Sequence, residues 1–261
     1  MDLSPYRALV GGATQGIGRA VAEALAAQGC ALTLLARDEA RLREAADSLP
    51  PAPAATAHDF LVADFNQPAR VAQVVGEYLA QNPGGFQILV NNTGGPAGGP
   101  ILEASADEFR AAFEQHVIVN QLLAQAVVPG MRAAGYGRII NIISTSVKIP
   151  LPGLGVSNTI RGAVASWAKT LAGELGGAIT VNSVLPGATL TQRHHSLIDK
   201  RVAQTGQSAE EIEAAMRRAI PAGRFGQAQE VAAAVAFLAS PAAAYINGVS
   251  LPVDGGRTGS L

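Results

Sequence analysis

The chain has 261 residues, a formal net charge of −1 at pH 7, and 48% hydrophobic but only 5% aromatic residues. This length suits one α/β domain over residues 1–261, and the near-zero charge argues against a surface that holds nucleic acid. No apolar run approaches the roughly 20 residues of a membrane span, and the N-terminus has no signal-peptide pattern. A single cysteine, Cys30, excludes an internal disulfide or a cysteine metal cluster. We expect a cytoplasmic protein without a metal, nucleic-acid or membrane partner.

Short apolar runs alternate along the chain with segments of helical periodicity. The runs that predict strands are residues 8–10, 31–36, 59–63, 86–90, 138–143, 178–185 and 249–252. The segments that predict helices are residues 19–28, 38–49, 68–81, 105–134 with a break around 113–116, 156–175, 191–220 and 228–239. A Pro/Ala-rich linker is expected at 50–57. This alternation predicts an α/β fold, a Rossmann-type doubly wound parallel sheet of about seven strands with helices on both faces.

A glycine-rich turn joins the first predicted strand to the first predicted helix. Gly12, Gly16 and Gly18 follow the spacing Gly-x-x-x-Gly-x-Gly. Missing side chains let the backbone approach a pyrophosphate closely, and the start of a helix offers free N–H groups and positive dipole to phosphate. The turn therefore predicts a dinucleotide site, with a purely structural turn as the alternative.

Ligands of such sheets bind beyond the carboxyl ends of the strands. Every segment there is polar or rich in glycine, namely residues 11–18, 37, 64, 91–94, 144–148 and 186–191. Arg37 directly follows the second strand, where an arginine accommodates the 2′-phosphate of NADP. We therefore expect NADP in preference to NAD. In the alternative, Arg37 is a solvated turn residue and Asp38 only caps the next helix.

These motifs together resemble the short-chain dehydrogenase/reductase family over nearly the whole chain. The glycine turn matches the family's cofactor turn, Asn91-Asn92-Thr93-Gly94 resembles its Asn-Asn-Ala-Gly element, and residues 137–144 resemble the strand that ends in a catalytic serine. The end of the chain is similar to the 3-oxoacyl carrier-protein reductase branch, through Pro221-x-Gly223-Arg224 and Val253-Asp254-Gly255-Gly256.

The resemblance implies a role for each matching residue. Cofactor contacts are expected from Gly12, Thr14, Gln15, Gly16, Ile17, Gly18, Arg37, Asp64, Asn91, Gly94, Arg161, Pro186, Gly187 and Thr189. Asp64 would receive the adenine amino group, or else cap the helix that begins at Pro68. Asn91 alternatively ties neighbouring strands together. Asn120 would be the structural and proton-relay asparagine, or would simply interrupt helix hydrogen bonding.

The family's Tyr-x-x-x-Lys motif falls on different residues in this chain. Thirteen residues beyond Ser144 stands Ser157, followed one helical turn later by Arg161. A serine hydroxyl is far less acidic than a phenol of pKa ~10 and reaches less far, and an arginine stays protonated. The catalytic candidates are Ser144, Ser157, Arg161, Asn120 and Lys148, with His194 or His195 as other proton donors. The alternatives are a solvated loop lysine for Lys148 and surface histidines for the pair.

Three functions are compatible with these residues. The first is an NADP(H)-dependent oxidoreductase that reduces a carbonyl, or oxidises an alcohol, of a small or carrier-bound substrate under a lid at about 190–220. The second is a catalytically impaired protein that binds a nicotinamide cofactor as a sensor or partner. The third is a lyase or dehydratase that uses the same pocket. The family also implies a homodimer or homotetramer, and Ala-rich faces at 111–126 and 163–172 permit close helix packing.

Overall fold

The computed structural model describes residues 1–52 and 57–260, so the centre of the linker expected at 50–57 lies outside the described residues. The strands are β1 (Arg7–Gly11), β2 (Ala31–Ala36), β3 (Asp59–Val62), β4 (Ile88–Asn91), β5 (Gly137–Ile142), β6 (Ile179–Pro186), β7 (Thr189–Leu190), β8 (Gly226–Gln227) and β9 (Ser250–Val253). The α-helices are α1 (Gly16–Ala26), α2 (Glu39–Asp47), α3 (Pro68–Gln81), α4 (Ala106–Phe113), α5 (Val119–Ala134), α6 (Gly155–Leu175), α7 (Gln192–Thr205), α8 (Ala209–Arg218) and α9 (Ala228–Ala239).

Seven of these strands form one parallel sheet in the order β3-β2-β1-β4-β5-β6-β9. Val10 of β1 packs on one face, in a core with residues of α1, α2 and α9. Its neighbour Leu9 packs on the other face, in a core with residues of α3, α5 and α6. The predicted doubly wound sheet is confirmed. The strand order reverses between β1 and β4, which opens the crevice where such folds bind ligands.

The predicted elements are largely confirmed, and β2, α3 and α9 have the predicted bounds. The break expected in the long helix is a π-helical turn, Glu114–Ile118, between α4 and α5. The polar segment at 191–220 contains two helices, because Gly206 ends α7 in a left-handed conformation and Ser208 starts α8 with a capping box. The pairing of β7 with β8 was not predicted from the sequence.

The helices and the potential metal ligands of the described residues bear on partners. Within 1–52 and 57–260, every helix is too short or too polar to span a lipid bilayer. In the same ranges, no three His, Cys, Asp or Glu side chains are grouped so that they could hold a metal ion.

Candidate cofactor and active site

The glycine turn between β1 and α1 has the geometry of a phosphate cradle. Gly12 and Gly16 have φ values of 58° and 56°, in the left-handed region that favours glycine. A Cβ at Gly18 would overlap the carbonyl oxygen of Gly12. Gln15 caps α1 without a side-chain hydrogen bond, so the first-turn N–H groups keep their capacity for an anion. These residues fit a dinucleotide pyrophosphate.

Asn92 holds this turn in place, a role that the sequence did not assign to it. Its Nδ2 donates to the carbonyl oxygens of Gly11 at 3.1 Å and Gly12 at 3.3 Å. Asn92 follows β4, which pairs with β1, so the side chain reaches across the reversal in strand order. The Asn-Asn pair in the sequence was the available signal.

The segment after β6 closes over the cradle from the other side. A Cβ at Gly16 would lie 3.4 Å from Cγ2 of Thr191. The hydroxyl oxygen of Thr191 accepts a hydrogen bond from the His194 N–H, so Thr191 caps α7. Gly187 is packed so closely that a Cβ there would lie 2.6 Å from Cβ of Asp254. Thr189 is buried and donates to the Gly187 carbonyl at 3.2 Å. The segment that contains Pro186, Gly187 and Thr189 thus reaches the glycine turn through Thr191.

The side of the turn that faces α2 carries several cationic groups. Arg37 is exposed after β2. Asp38 is the N-cap of α2, accepts from the Arg41 N–H at 3.1 Å and pairs with that side chain at 3.5 Å, so its expected capping role is confirmed. A cavity of about 430 Å³ lies beside the turn and is lined by Thr14, Gln15, Arg19, Glu23, Arg41 and Glu44. The sequence had not singled out Arg41.

Two further cofactor candidates have clear structural roles. Oδ1 of Asp64 accepts from both the backbone and the side-chain nitrogen of Asn66, at 2.9 and 3.0 Å. The cap of α3 is Gln67, so the expectation that Asp64 caps this helix is wrong. Asn91 does tie neighbouring strands, because its Nδ2 donates to Oδ1 of Asn141 on β5 at 2.8 Å.

The catalytic candidates gather at the carboxyl end of β5. Ser144 begins the short turn Thr145–Val147, and its Oγ accepts from the Ser146 N–H at 3.1 Å. Lys148 ends the same turn. Ser157 is half-buried on α6, and Arg161 follows it one turn later on the same face. Nη1 of Arg161 donates to the carbonyl oxygen of Ile142 at 2.9 Å, which fixes the guanidinium at the end of β5.

Arg161 is a buried cation. Its side chain is only 8% exposed, and burial, with a smaller contribution from the charge of Arg193, lowers its pKa to about 10. Among the described residues, no carboxylate lies within ion-pairing distance of it. Arg161 therefore remains charged at neutral pH.

His116 in the π-helical turn contacts the site, and the sequence did not predict its role. Burial and the nearby charge of Arg161 lower the pKa of His116 to about 2. A hydrogen bond with the backbone of Gly94 has the opposite, smaller effect on this pKa. The sequence predicts the relay role for Asn120, which is buried one turn further along, on α5. The hydrogen bond with Gly94 and the electrostatic interaction with Arg161 are made by His116. The predicted break at 113–116 was the signal for a special residue here.

The two lid histidines differ from each other. His194 is buried against Phe225, with 4.5 Å between the ring centroids, and burial lowers its pKa. The expectation that the pair is a surface feature is wrong for His194. His195 is exposed and meets the ring of His194 edge-on.

Comparison with known proteins gives the class of this chain. The family model described as Enoyl-(Acyl carrier protein) reductase matches residues 12–258. The 3-oxoacyl-[acyl-carrier-protein] reductase of Escherichia coli K12 is 34% identical over 257 residues, which cover 98% of each chain. The chain belongs to the short-chain dehydrogenase/reductase family, and its curated relatives include reductases.

Two solved structures are similar over the full length of the chain. L-sorbose reductase from Gluconobacter frateurii, complexed with NADPH and L-sorbose, has a TM-score of 0.91 and 33% identity, covering 100% of this chain and 99% of that one. A single-residue variant of actinorhodin polyketide ketoreductase, solved with NADPH, has a TM-score of 0.88 and 30% identity, covering 100% of both. The names of these relatives describe different substrates, so membership of the family does not define the substrate.

Proposed function

We propose that this protein is an NADP(H)-dependent oxidoreductase that reduces a carbonyl group, or oxidises an alcohol, of a small or carrier-bound substrate. The proposal includes an atypical active site, with Ser157 and Arg161 at the positions of the family's tyrosine and lysine. The observation that carries it is the arrangement at one edge of the sheet. There, the glycine cradle at the start of α1 and the polar residues Ser144 and Arg161 lie at the carboxyl ends of neighbouring parallel strands.

The choice of NADP is supported by the charges at the adenosine end. The carboxylate of Asp38 already accepts from Arg41 and pairs with its side chain, so it is poorly placed to receive two ribose hydroxyls. Arg37 and Arg41 are cations that suit a 2′-phosphate. The G. frateurii reductase was solved with NADPH. The other expected cofactor contacts, from Thr14, Ile17, Asp64, Asn91, Gly94 and Thr189, belong to the same proposal.

When bound, the nicotinamide supplies or accepts the hydride. Ser144 accepts a bond from the Ser146 N–H, which leaves its hydroxyl proton for the substrate's carbonyl oxygen. Arg161 places a permanent positive charge beside the same region and stabilises negative charge on that oxygen. Its second expected use, a bond to the nicotinamide ribose, would occupy the free edge of the guanidinium, which Nε and Nη2 form.

The proton must come from a group other than Arg161, because its guanidinium is held by the Ile142 carbonyl and stays protonated, as arginine side chains do in proteins. His116 is neutral at pH 7, since its pKa is about 2, so it has no imidazolium proton to give. Ser157 is a weak acid on a short side chain. We assign the donor role to Lys148, on the same short turn as Ser144.

The second candidate function is a protein that binds the cofactor without turnover, as a sensor or partner. It is favoured by the presence of Ser157 and Arg161, which cannot act as a tyrosine–lysine pair acts. It requires the same cradle but no proton donor. Turnover therefore separates the two candidates, whereas cofactor binding does not.

The test combines binding and turnover on the same samples. NADPH and NADH are titrated by fluorescence, and oxidation of NADPH is then followed with a panel of aldehydes, ketones and oxo acids. We expect tighter binding of NADPH than of NADH, and turnover. Lys148→Ala should lower kcat by about 10²-fold or more with an unchanged Kd for NADPH, whereas Lys200→Ala, an exposed lysine of α7, should leave both unchanged.

The other outcomes contradict parts of the proposal. Tight binding without turnover on any compound favours the sensor. Full activity in Lys148→Ala shows that the proton has another source. Failure to bind either nucleotide overturns the proposal as a whole. A homodimer or homotetramer, also proposed, is checked by light scattering of the same preparations, and a monomer would contradict it.

A further inference from the structure

Two guanidinium groups converge on one glycine in the active site. A Cβ built on Gly95 would lie 3.3 Å from Nη2 of Arg193 and 3.5 Å from Nη2 of Arg161. Arg161 lies on α6, and Arg193 lies in the first turn of α7. Arg193 also donates from Nη2 to the carbonyl oxygen of Pro96 at 2.6 Å, which holds it over the loop after β4.

This pair of like charges has no counter-ion in the described residues. Among 1–52 and 57–260, neither Arg161 nor Arg193 lies within 4.0 Å of a carboxylate oxygen. Partial desolvation lowers the pKa of Arg193, and the charge of Arg193 in turn contributes to the lowered pKa of Arg161. Buried charges are normally paired. Two mutually repelling cations, one of them more than nine-tenths buried, are stabilised when an anion lies between them.

The unused atoms of Arg161 indicate which kind of anion fits. Nη1 is occupied by the Ile142 carbonyl, Nε is buried without a hydrogen-bond partner among the described residues, and Nη2 faces Gly95. Nε and Nη2 form one edge of the planar guanidinium. Such an edge donates two parallel hydrogen bonds, which match the two oxygens of a carboxylate. The second cation, Arg193, comes from the segment that covers the site.

We propose that Arg161 and Arg193 together bind a carboxylate of the substrate, so that the substrates are short oxo acids and the corresponding hydroxy acids. This inference rests on the proposed function, because it names the substrate class of the same site. Arg161 is bonded to β5 two residues before Ser144, so a carboxylate on its free edge lies near the carbonyl group that Ser144 would hold. A short separation between carboxylate and carbonyl follows from that placement.

The first test measures whether the holoprotein distinguishes a charged ligand from its neutral ester. Binding of acetoacetate, 2-oxobutanoate and their methyl esters to the protein saturated with NADP⁺ is measured by calorimetry. We expect the acids to bind about tenfold or more tightly than the esters. Arg193→Gln should abolish this preference while leaving the Kd for NADPH within about twofold. The matched control is Arg201→Gln, an exposed arginine of the same helix, which should keep the preference.

Two results would overturn the inference. Equal binding of acids and esters by the unaltered protein would show that the site does not recognise a carboxylate. Weaker NADPH binding by Arg193→Gln or Arg161→Gln, with the acid preference retained, assigns the free edge to the nicotinamide ribose or pyrophosphate instead.

A second test places a tethered carboxylate between the two arginines. Gly95 is outside the left-handed region, so it accepts a side chain without backbone strain. Gly95→Asp supplies a counter-ion, and Gly95→Asn is a neutral control of the same shape. We expect Gly95→Asp to have a higher Tm than Gly95→Asn and to lose the preference for acids, which Gly95→Asn keeps at least in part.

Equal Tm values and equal acid preference for the two variants would contradict the proposal that Arg161 and Arg193 bind an anion between them. The Tm comparison needs no cofactor and no turnover. If the protein binds no NADPH, the proposed function fails, and the two Gly95 variants still decide whether the arginines form an anion site.

Discussion

The pH dependence of stability should report the buried state of His116. In the folded protein its pKa is lowered to about 2, because the ring is buried and lies near the charge of Arg161, whereas the ordinary value is 6.5. Below pH 6.5 the unfolded chain takes up a proton at this residue and the folded protein does not. The stabilisation from a neutral His116 is therefore complete above pH 6.5 and is lost progressively as the pH falls towards 2.

The size of this effect follows from the two pKa values. Each pH unit below the ordinary value costs about 1.4 kcal/mol of unfolding free energy, as long as the folded protein stays unprotonated. At pH 5 the loss relative to pH 7 is about 2 kcal/mol from this one residue. An asparagine at this position cannot titrate. His116→Asn should therefore have a smaller drop in stability between pH 7 and pH 5, by about the same amount.

The assay is urea unfolding at pH 7 and pH 5, followed by circular dichroism, for the unaltered protein and two variants. His195→Gln removes an exposed histidine of α7 and serves as the control, which should retain the full loss. Equal pH dependence in His116→Asn and the unaltered protein would refute the reasoning, because it would mean that His116 is protonated in the folded state.

Two further predictions concern the ends of the cofactor site. Arg37→Asp should weaken NADPH binding more than NADH binding. The control is Arg43→Gln, which should not change this ratio, since the Arg43 side chain pairs with Glu39 on α2. An unchanged ratio of the two Kd values in Arg37→Asp would contradict the choice of NADP. Ser157→Tyr combined with Arg161→Lys should raise carbonyl reduction on neutral substrates if the family's proton transfer is only dormant, measured as kcat on ketones, and no gain would refute that idea.

The sheet could be predicted from the sequence because its strands are short, apolar and buried on both faces. All six residues of β2 are buried, and this element was predicted with the correct bounds. The pairing of β7 with β8 could not be predicted, since two-residue strands such as Thr189–Leu190 have no periodicity and their partner is distant in the chain. Local patterns determine such elements only where several consecutive residues share one environment.

The candidate site was predictable to the extent that it depends on motifs. The glycine turn, Ser144 and Arg161 are brought to one edge of the sheet as expected. The role of His116 was missed because this residue lies in the π-helical turn, which helical periodicity does not predict. Asn120, one turn later, is of the residue type that the family resemblance implies for the proton relay. Residue type alone therefore selected a different side chain from the one that is bonded to Gly94 and interacts with the charge of Arg161.

In the proposed atypical site, Ser157 and Arg161 stand where the family has its tyrosine and lysine, and this exchange would remove one function and strengthen another. A tyrosine both donates a proton and stabilises negative charge on the carbonyl oxygen, whereas an arginine performs only the second task well. In the proposed site, Arg193 would raise the positive potential at the reacting carbonyl above that of a single lysine, and a bound carboxylate would offset part of it. Loss of Lys148 should then affect the proton transfer, seen in kcat, while loss of Arg193 affects which substrates bind. The Lys148 and Arg193 variants therefore test separate roles, and the result for one does not decide the result for the other.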